Sequence, residues 1–267
     1  MANYNDDYNQ FNQDNMQYSE FGTNDSMNYS YPGQGSSGAY SGSIYDSVNR
    51  TELATNTIAK SFMIMVIALV VTAVTAYITL TNQSMFKAML ENVMLFFIIE
   101  FAVVIGASYC IKKNNAIVAG VLFAAYCIIN GMTLSVIFLA YEIGSIQQIF
   151  VLAAVVFAVM AIFGFTTKRD LTSFGAIALM ALIGMLVVTL FNALIFRSTG
   201  LDMMMNYIGV LVFVGLTAYD VQKLKKHSLQ ATTGNANSLA VYFAMELYLD
   251  LINLFLRLLA IMGKSKN

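Results

Sequence analysis

The chain has 267 residues, a formal net charge of −1, and a composition that is 58% hydrophobic and only 11% charged. Soluble domains are typically about 45–50% apolar and about 25% charged, so this composition excludes an ordinary soluble protein and predicts an integral membrane protein. The basic residues are scattered along the chain and form no cationic face, which excludes a nucleic-acid partner.

Residues 1–50 form a polar region rich in Asn, Tyr, Ser and Gly. Such a sequence buries too little apolar surface to offset the entropy lost on ordering. We therefore predict a disordered cytoplasmic tail over residues 1–50, followed by a membrane domain over residues 51–267.

Seven apolar segments follow the tail, each long enough for the ~20 helical residues that span a bilayer. In lipid the backbone polar groups of such a segment must be satisfied within it, which favours helices. The predicted fold is an all-α integral membrane protein, a seven-transmembrane helix bundle with a central C-terminal helix. The segments are Ser61–Leu80, Asn92–Ile111, Ala116–Tyr141, Ile146–Thr167, Leu171–Phe196, Met203–Gln222 and Ser238–Gly263.

Lysine and arginine in the short loops set the expected orientation, because cytoplasmic loops are enriched in these residues. The loops after the second, fourth and sixth segments are basic, whereas the alternate loops hold only Lys87 and Arg197. This pattern predicts a multi-pass protein of the plasma membrane with a cytoplasmic N-terminus. Seven crossings place the C-terminus outside, although Lys264 and Lys266 favour a seventh segment that dips into the membrane and returns.

The seventh segment carries four polar residues despite its apolar character: Glu246, Asp250, Asn253 and Arg257. Their spacing of four, three and four residues places them on one helix face. An ionised group in hydrocarbon costs free energy, so this polar stripe is expected to face the bundle interior or a water-filled cavity.

Asp220 lies near the end of the sixth segment, in "GLTAYDVQKLKK", and two interpretations are open. In the first, Asp220 is a solvated helix-end residue that pairs with Lys223. In the second, the sixth helix continues through the basic run, so that Asp220 lies inside the membrane and faces the stripe. Two carboxylates that approach each other in a low dielectric do not both ionise easily, so the pair takes up a proton or a cation.

"GLTAYDVQKLKK" and "ELYLDLINLFLRLLAIMG" are similar to the two C-terminal signatures of the Bax inhibitor-1 family, also called transmembrane Bax inhibitor motif proteins. A weaker similarity extends back through "INGMTLSVIF" to about residue 57. The resemblance implies six helices around a central seventh and a function as a pH-sensitive calcium-leak channel. It also implies that Asp220 and Asp250 are the aspartates that share a proton and control cation passage.

The resemblance assigns further positions a supporting role. The family has a basic residue at the cytoplasmic end of the second helix, for which this chain offers Lys112 or Lys113. Glu100 matches an acidic position of some members, while Glu246, Asn253 and Arg257 belong to the polar stripe. We expect protonation of the aspartate pair to loosen its hold on Lys112 or Lys113, and the pair to form a weak transit site for Ca²⁺. No cofactor is expected, and the expected partners are the lipid bilayer and Ca²⁺ or other cations.

Two other functional classes compete with a channel. An intramembrane aspartyl protease also uses two membrane aspartates, but it requires Gly-x-Gly-Asp where this chain has "LYLD", so we expect no enzyme activity. The alternative that stays open is a non-transporting membrane scaffold or a modulator of a membrane protease, in which the acidic stripe only packs the bundle. Glycines at positions 164, 175, 184, 209 and 215 are expected to permit close helix approach.

Overall fold

The structure, a computed structural model, describes the backbone of residues 37–266 and the side chains of residues 48–266 except that of residue 93. The described residues form helices and no strand, apart from an isolated antiparallel bridge between Tyr141 and Ser265. Seven of the helical segments are long and apolar enough to cross a membrane. The predicted all-α, seven-span fold is confirmed.

The helices follow one another with short connections. We number them α1 (Ser37–Thr81), α2 (Gln83–Glu91), α3 (Val93–Lys112), α4 (Ala116–Leu134), α5 (Ile137–Ala140), α6 (Ile143–Thr166), α7 (Thr172–Phe191), α8 (Thr199–Leu229) and α9 (Ala236–Met262). A π-helical turn, Asn192–Phe196, extends α7. The seven spans are α1, α3, α4 with α5, α6, α7 with its π-turn, α8 and α9.

Asparagine and serine side chains begin several of these helices. The side-chain oxygen of Asn115 accepts a hydrogen bond from Val118 N at 3.2 Å, and Ser198 Oγ accepts one from Leu201 N at 3.4 Å. Each satisfies a backbone donor that the first turn of a helix leaves free. Asn115 and Ser198 are thus the capping residues that directly precede α4 and α8.

The first span differs from its prediction. The predicted segment begins at Ser61, whereas α1 begins at Ser37, so residues 37–50, assigned to the tail, are helical. Pro32 precedes this stretch and no proline interrupts it, which allows the helix to extend toward the N-terminus beyond the apolar run. The rest of the predicted tail, residues 1–36, lies outside the described residues.

The C-terminal helix α9 is the centre of the bundle. In its most apolar stretch 67% of the residues are buried, against at most 44% in any other span. It packs against α8, α6, α4 and α3, and Tyr248 reaches Thr72 of α1. Because neighbouring helices cover most of α9, its polar side chains face the interior of the bundle instead of its outer surface.

The seventh span crosses the bundle completely. Twenty-seven residues of helix cover about 40 Å at 1.5 Å per residue, more than the ~30 Å of a bilayer core. After α9, Lys264 O accepts a hydrogen bond from Glu142 N, and Lys266 N donates to Ala140 O, both at 3.0 Å. The basic loops lie at the opposite end, where Lys226 contacts Asp170. The interpretation in which the seventh segment dips and returns is therefore wrong.

Candidate functional site

The polar stripe of α9 lines a cavity of about 430 Å³. All four stripe residues, Glu246, Asp250, Asn253 and Arg257, contribute to its wall. Leu247, Leu251 and Leu254, on the other face of the helix, are buried against neighbouring helices. The helical spacing thus predicted correctly both the shared face and its inward orientation.

Asp220 joins the stripe from α8. This helix runs to Leu229, so it continues through the basic run and leaves Asp220 more than two turns from its end. The interpretation in which the sixth helix continues and Asp220 faces the stripe is confirmed, and the helix-end interpretation is wrong. Asp220 is buried and lines the same cavity as Asp250.

Asp220 of α8 and Asp250 of α9 line the same cavity, and their two helices pack against each other. Asp250 is 4% exposed and its Oδ2 is buried without a hydrogen-bond partner among the described residues. Leaving a buried carboxylate oxygen unpaired costs free energy, which a shared proton or a cation between the two groups would offset.

Lys223, one turn beyond Asp220, pairs with α9 and not with Asp220. Its Nζ lies 2.8 Å from Glu246 Oε1 and 3.1 Å from Oε2, and it donates to Tyr242 Oη at 2.8 Å. Both charged side chains are only about one-fifth exposed (21% and 20%). This cluster of Lys223, Tyr242 and Glu246, which we call the lysine cluster, lies at the basic end of the cavity.

Lys112 and Lys113 do not reach the aspartate pair. Both are exposed, neither lines the cavity, and Lys113 Nζ lies over the ring of Tyr109 at 4.7 Å. The expectation that Lys112 or Lys113 contacts the aspartates is therefore wrong. They follow the last apolar turn of α3, where a long cationic side chain reaches water more easily than it turns inward. Lys223 is the lysine that faces the cavity.

Glu100 reaches the cavity from α3. It is buried, and its Oε1 accepts a hydrogen bond of 2.6 Å from Thr133 Oγ1 on α4. A single hydroxyl satisfies only part of the acceptor capacity of a carboxylate. Glu100 therefore adds a fourth acidic group to the cavity wall, beside Asp220, Glu246 and Asp250.

A buried hydrogen-bonded network, which the sequence analysis missed, holds the centre of α9. Tyr248 Oη donates to Asn130 Oδ1 at 3.1 Å and lies 2.7 Å from Thr72 Oγ1. Tyr248 is fully buried. The signal was present in the sequence as an Asn in the apolar run "CIINGM" and a Tyr in "ELYLD", but three separated polar residues do not reveal that they meet.

The remaining stripe residues have local partners. Asn253 Nδ2 donates to the carbonyl of Leu249 at 2.8 Å, and Arg257 Nη1 donates to Asn206 Oδ1 of α8 at 3.0 Å. Arg257 forms no ion pair within residues 48–266. It lies toward the end of α9 that carries the C-terminal residues, about 10 Å along the helix from Asp250 at 1.5 Å per residue.

Within the described part of the chain, no group of three or more His, Cys, Asp or Glu residues is placed to hold a metal ion. Calcium takes six to eight oxygen ligands in typical protein sites. Two aspartates satisfy that need only in part, because Lys223 already occupies both oxygens of Glu246.

Comparison with known proteins decides the family. The family model described as "Inhibitor of apoptosis-promoting Bax1" matches residues 54–267. The chain belongs to the Bax inhibitor-1 family. The match begins after the polar tail and includes both C-terminal signatures, so the resemblance inferred from those signatures is confirmed.

Several bacterial proteins are similar to this Bax inhibitor-1 family protein over most of their length. A Borreliella burgdorferi protein is 40% identical over 215 residues, which cover 79% of this chain and 92% of that protein. The Escherichia coli inner membrane protein YbhL is 41% identical over 208 residues, covering 76% and 88%. A Streptococcus pyogenes membrane protein is 35% identical over 213 residues, covering 78% and 92%. This Bax inhibitor-1 family protein is itself a multi-pass membrane protein, with seven helices long and apolar enough to cross a membrane.

One carboxylate of this Bax inhibitor-1 family protein lies outside the spans and forms an ion pair at the basic end. Asp170 Oδ1 lies 2.7 Å from Lys226 Nζ and accepts hydrogen bonds from the Thr172 hydroxyl and backbone N–H. The hydrogen bond from Lys226, followed by those from Thr172, holds the pKa of Asp170 well below its usual range. The pair joins the α6–α7 loop to α8 at the surface.

Proposed function

We propose that the protein is a proton-regulated cation leak channel of the plasma membrane, with Ca²⁺ as the transported ion. The observation that carries this proposal is the buried pair Asp220 and Asp250 on the wall of a cavity, with Asp250 Oδ2 unpartnered among the described residues. A buried carboxylate pair binds a proton or a cation in preference to remaining doubly charged. Membership of the Bax inhibitor-1 family supports the same function.

The proposed regulation is electrostatic. Deprotonated aspartates attract Lys223, whose ammonium also holds Glu246 and Tyr242, and this attraction keeps α8 and α9 together at the basic end. Protonation removes the charge of the pair and weakens that attraction, which frees the path past the lysine cluster. Glu100 and Arg257 also face the cavity, and they set the local field in which the pair titrates.

The orientation proposed for this channel follows the basic loops. Lys226 and Lys225 lie at one end together with the α6–α7 loop, and the positive-inside rule makes that end cytoplasmic. The lysine cluster then closes the cytoplasmic side of the cavity. A cation would enter from the outside and pass the aspartates before it meets Lys223.

Ion flux into proteoliposomes tests the proposal. The full chain is reconstituted, and flux of Ca²⁺, K⁺ and Na⁺ is compared from pH 5 to pH 8. The wild type is expected to conduct more Ca²⁺ at low pH. Asp220→Asn and Asp250→Asn imitate the protonated pair, so each is expected to conduct equally across the range.

Asp170→Asn is the matched control, because it removes an exposed carboxylate at the basic end and leaves the cavity unchanged. It is expected to retain the pH dependence of the wild type. Unchanged pH dependence in both aspartate-pair variants would refute the role of the pair. A folded wild type without cation flux at any pH would refute the channel and favour the scaffold interpretation.

A further inference from the structure

The cavity opens sideways, between α3 and α7. Its walls there are apolar, formed by Phe97, Phe101 and Ile105 of α3 with Leu179 and Leu186 of α7. These five side chains line the cavity and are also 47% to 68% exposed on the outer surface of the bundle. In a membrane protein that outer surface faces lipid tails, so this side of the cavity is continuous with the bilayer interior.

The two walls of this opening pack mainly against other helices. α3 packs against α4 and α9, and α7 packs against α8. The cleft between α3 and α7 is therefore bridged by side chains and not by a helix–helix interface. With a volume of about 430 Å³, the cavity is within the range of sites that hold one small organic ligand.

Arg257 supplies a cation at one end of the cleft. Its guanidinium donates one hydrogen bond to the neutral Asn206 and has no carboxylate partner within residues 48–266. A guanidinium has five N–H donors in a planar fork that suits a carboxylate. The other cavity cation, Lys223, is neutralised by Glu246, so Arg257 is the position that favours an anion.

We propose that this cleft binds a long-chain fatty acid from the bilayer, with the carboxylate on Arg257 and the acyl chain along the apolar walls of α3 and α7. The acidic groups determine the direction of the ligand. Asp250 lies about 10 Å from Arg257 along α9, and Asp220 and Glu100 line the cavity away from it, so only the Arg257 end accepts a negative head group. The apolar tail then covers the aspartate pair from the lipid side.

A single acyl chain fits these features better than a phospholipid. The cleft offers one cationic contact and one apolar channel, and a second acyl chain would lie outside the channel. The proposal goes beyond the channel function and does not depend on it, because binding is measured without ion flux. If the channel function also holds, the bound fatty acid is expected to reduce flux.

A single-tryptophan quenching experiment tests the proposal, since the chain contains no Trp. Leu186→Trp places the fluorophore at the mouth of the cleft. Leu190→Trp places it one turn further on the same helix, on an exposed position outside the cavity lining. The full-length variants are purified in detergent and titrated with dibromostearate, whose bromine atoms quench indole fluorescence.

Quenching in Leu186→Trp is expected to saturate at a lower dibromostearate concentration than in Leu190→Trp. Adding Arg257→Gln to Leu186→Trp is expected to raise the half-saturating concentration about tenfold or more, because a charge-assisted hydrogen-bonded pair is lost. Adding Arg197→Gln, which removes an exposed arginine in the loop that follows the π-turn, is expected to change nothing. Dibromostearyl alcohol, which has the same tail and no charge, is expected to quench weakly.

Three results would overturn the proposal. The first is equal half-saturation with and without Arg257→Gln in variants whose thermal unfolding shows that both are folded. The second is equal quenching by the acid and the alcohol, which would indicate partition into an apolar surface. The third is displacement of dibromostearate by phosphatidylglycerol at lower concentration than by stearate, which would assign the cleft to a two-chain phospholipid.

Discussion

Lys223 of α8 and Glu246 of α9 form an ion pair of 2.8 Å. Lys223 Nζ also donates a hydrogen bond to the hydroxyl of Tyr242, which lies one helical turn before Glu246 on α9. The pair joins the two helices that carry Asp220 and Asp250, and its ammonium is the cation nearest the basic end of the cavity. It is also less exposed than the other ion pairs of the described residues. Its contribution to stability is therefore expected to exceed that of a surface pair.

Glu246→Gln is expected to lower the free energy of unfolding by about 1–3 kcal/mol, because it leaves a partly buried ammonium without its counter-ion. Thermal unfolding in detergent measures the change. Glu91→Gln is the matched control, since Glu91 pairs with Lys87 at 3.8 Å with side chains 60% and 76% exposed, and exposed pairs contribute little. Equal effects of the two substitutions would contradict the prediction.

Tyr248→Phe is expected to destabilise the bundle by about 1–3 kcal/mol. The substitution removes the hydroxyl that joins Thr72 and Asn130 and leaves Asn130 Oδ1 unpaired in a buried site. Tyr207→Phe, at a side chain that is 57% exposed, is the control and is expected to have almost no effect. A Tyr248→Phe protein as stable as the wild type would show that the network does not contribute to stability.

Gly164→Ala is expected to destabilise the contact between α6 and α8, because a Cβ at position 164 would overlap the carbonyl oxygen of Ala218. Backbone atoms move only when the helices separate, and such overpacking typically costs about 1–3 kcal/mol. Gly184 provides an opposite control. A Cβ there meets no atom within 4 Å, so Gly184→Ala is expected to be neutral or to stabilise α7 by up to about 1 kcal/mol. Parallel melting curves compare the two variants.

The surface pair of Asp170 and Lys226 predicts a dependence on acid pH. Because the pKa of Asp170 is lower in the folded protein than in the unfolded chain, the pair stabilises the fold above the unfolded pKa of about 3.9 and loses this contribution as pH falls toward the folded value. The difference in melting temperature between wild type and Asp170→Asn is therefore expected to be constant from pH 5 to 8 and to shrink below about pH 4. High salt is expected to reduce it. A difference that grows on acidification would contradict this sign.

The glycines of the membrane spans show what a small residue in a helix does and does not predict about helix contacts. Gly164, Gly175, Gly209 and Gly215 do lie where a Cβ would collide with a neighbouring helix, as small residues in membrane spans predict. The same reasoning predicted a close helix approach at Gly184, and that prediction is wrong, because a Cβ at Gly184 would face open space. Composition shows that a helix has a small residue, but the neighbour that approaches it is supplied by another part of the chain.

The sequence by itself determined the class of protein, the seven spans and the polar face of α9. These properties depend on apolar length and on the periodicity of 3.6 residues, which are local. The two C-terminal signatures also implied that Asp220 and Asp250 act together, and the structure places both on the wall of one cavity. The length of α8 was left open, because a run of lysines is compatible both with a helix end and with a helix that leaves the membrane.

Only the tertiary structure decided the partners. Lys223 pairs with Glu246 and donates to Tyr242, whereas Lys112 and Lys113 are exposed. Tyr248 joins Asn130 to Thr72 by hydrogen bonds. Each of these contacts depends on the rotation and depth of one helix against another, which follow from packing over the whole interface. No local pattern contains that information, so a lysine that reaches the cavity and one that reaches water look alike in the sequence.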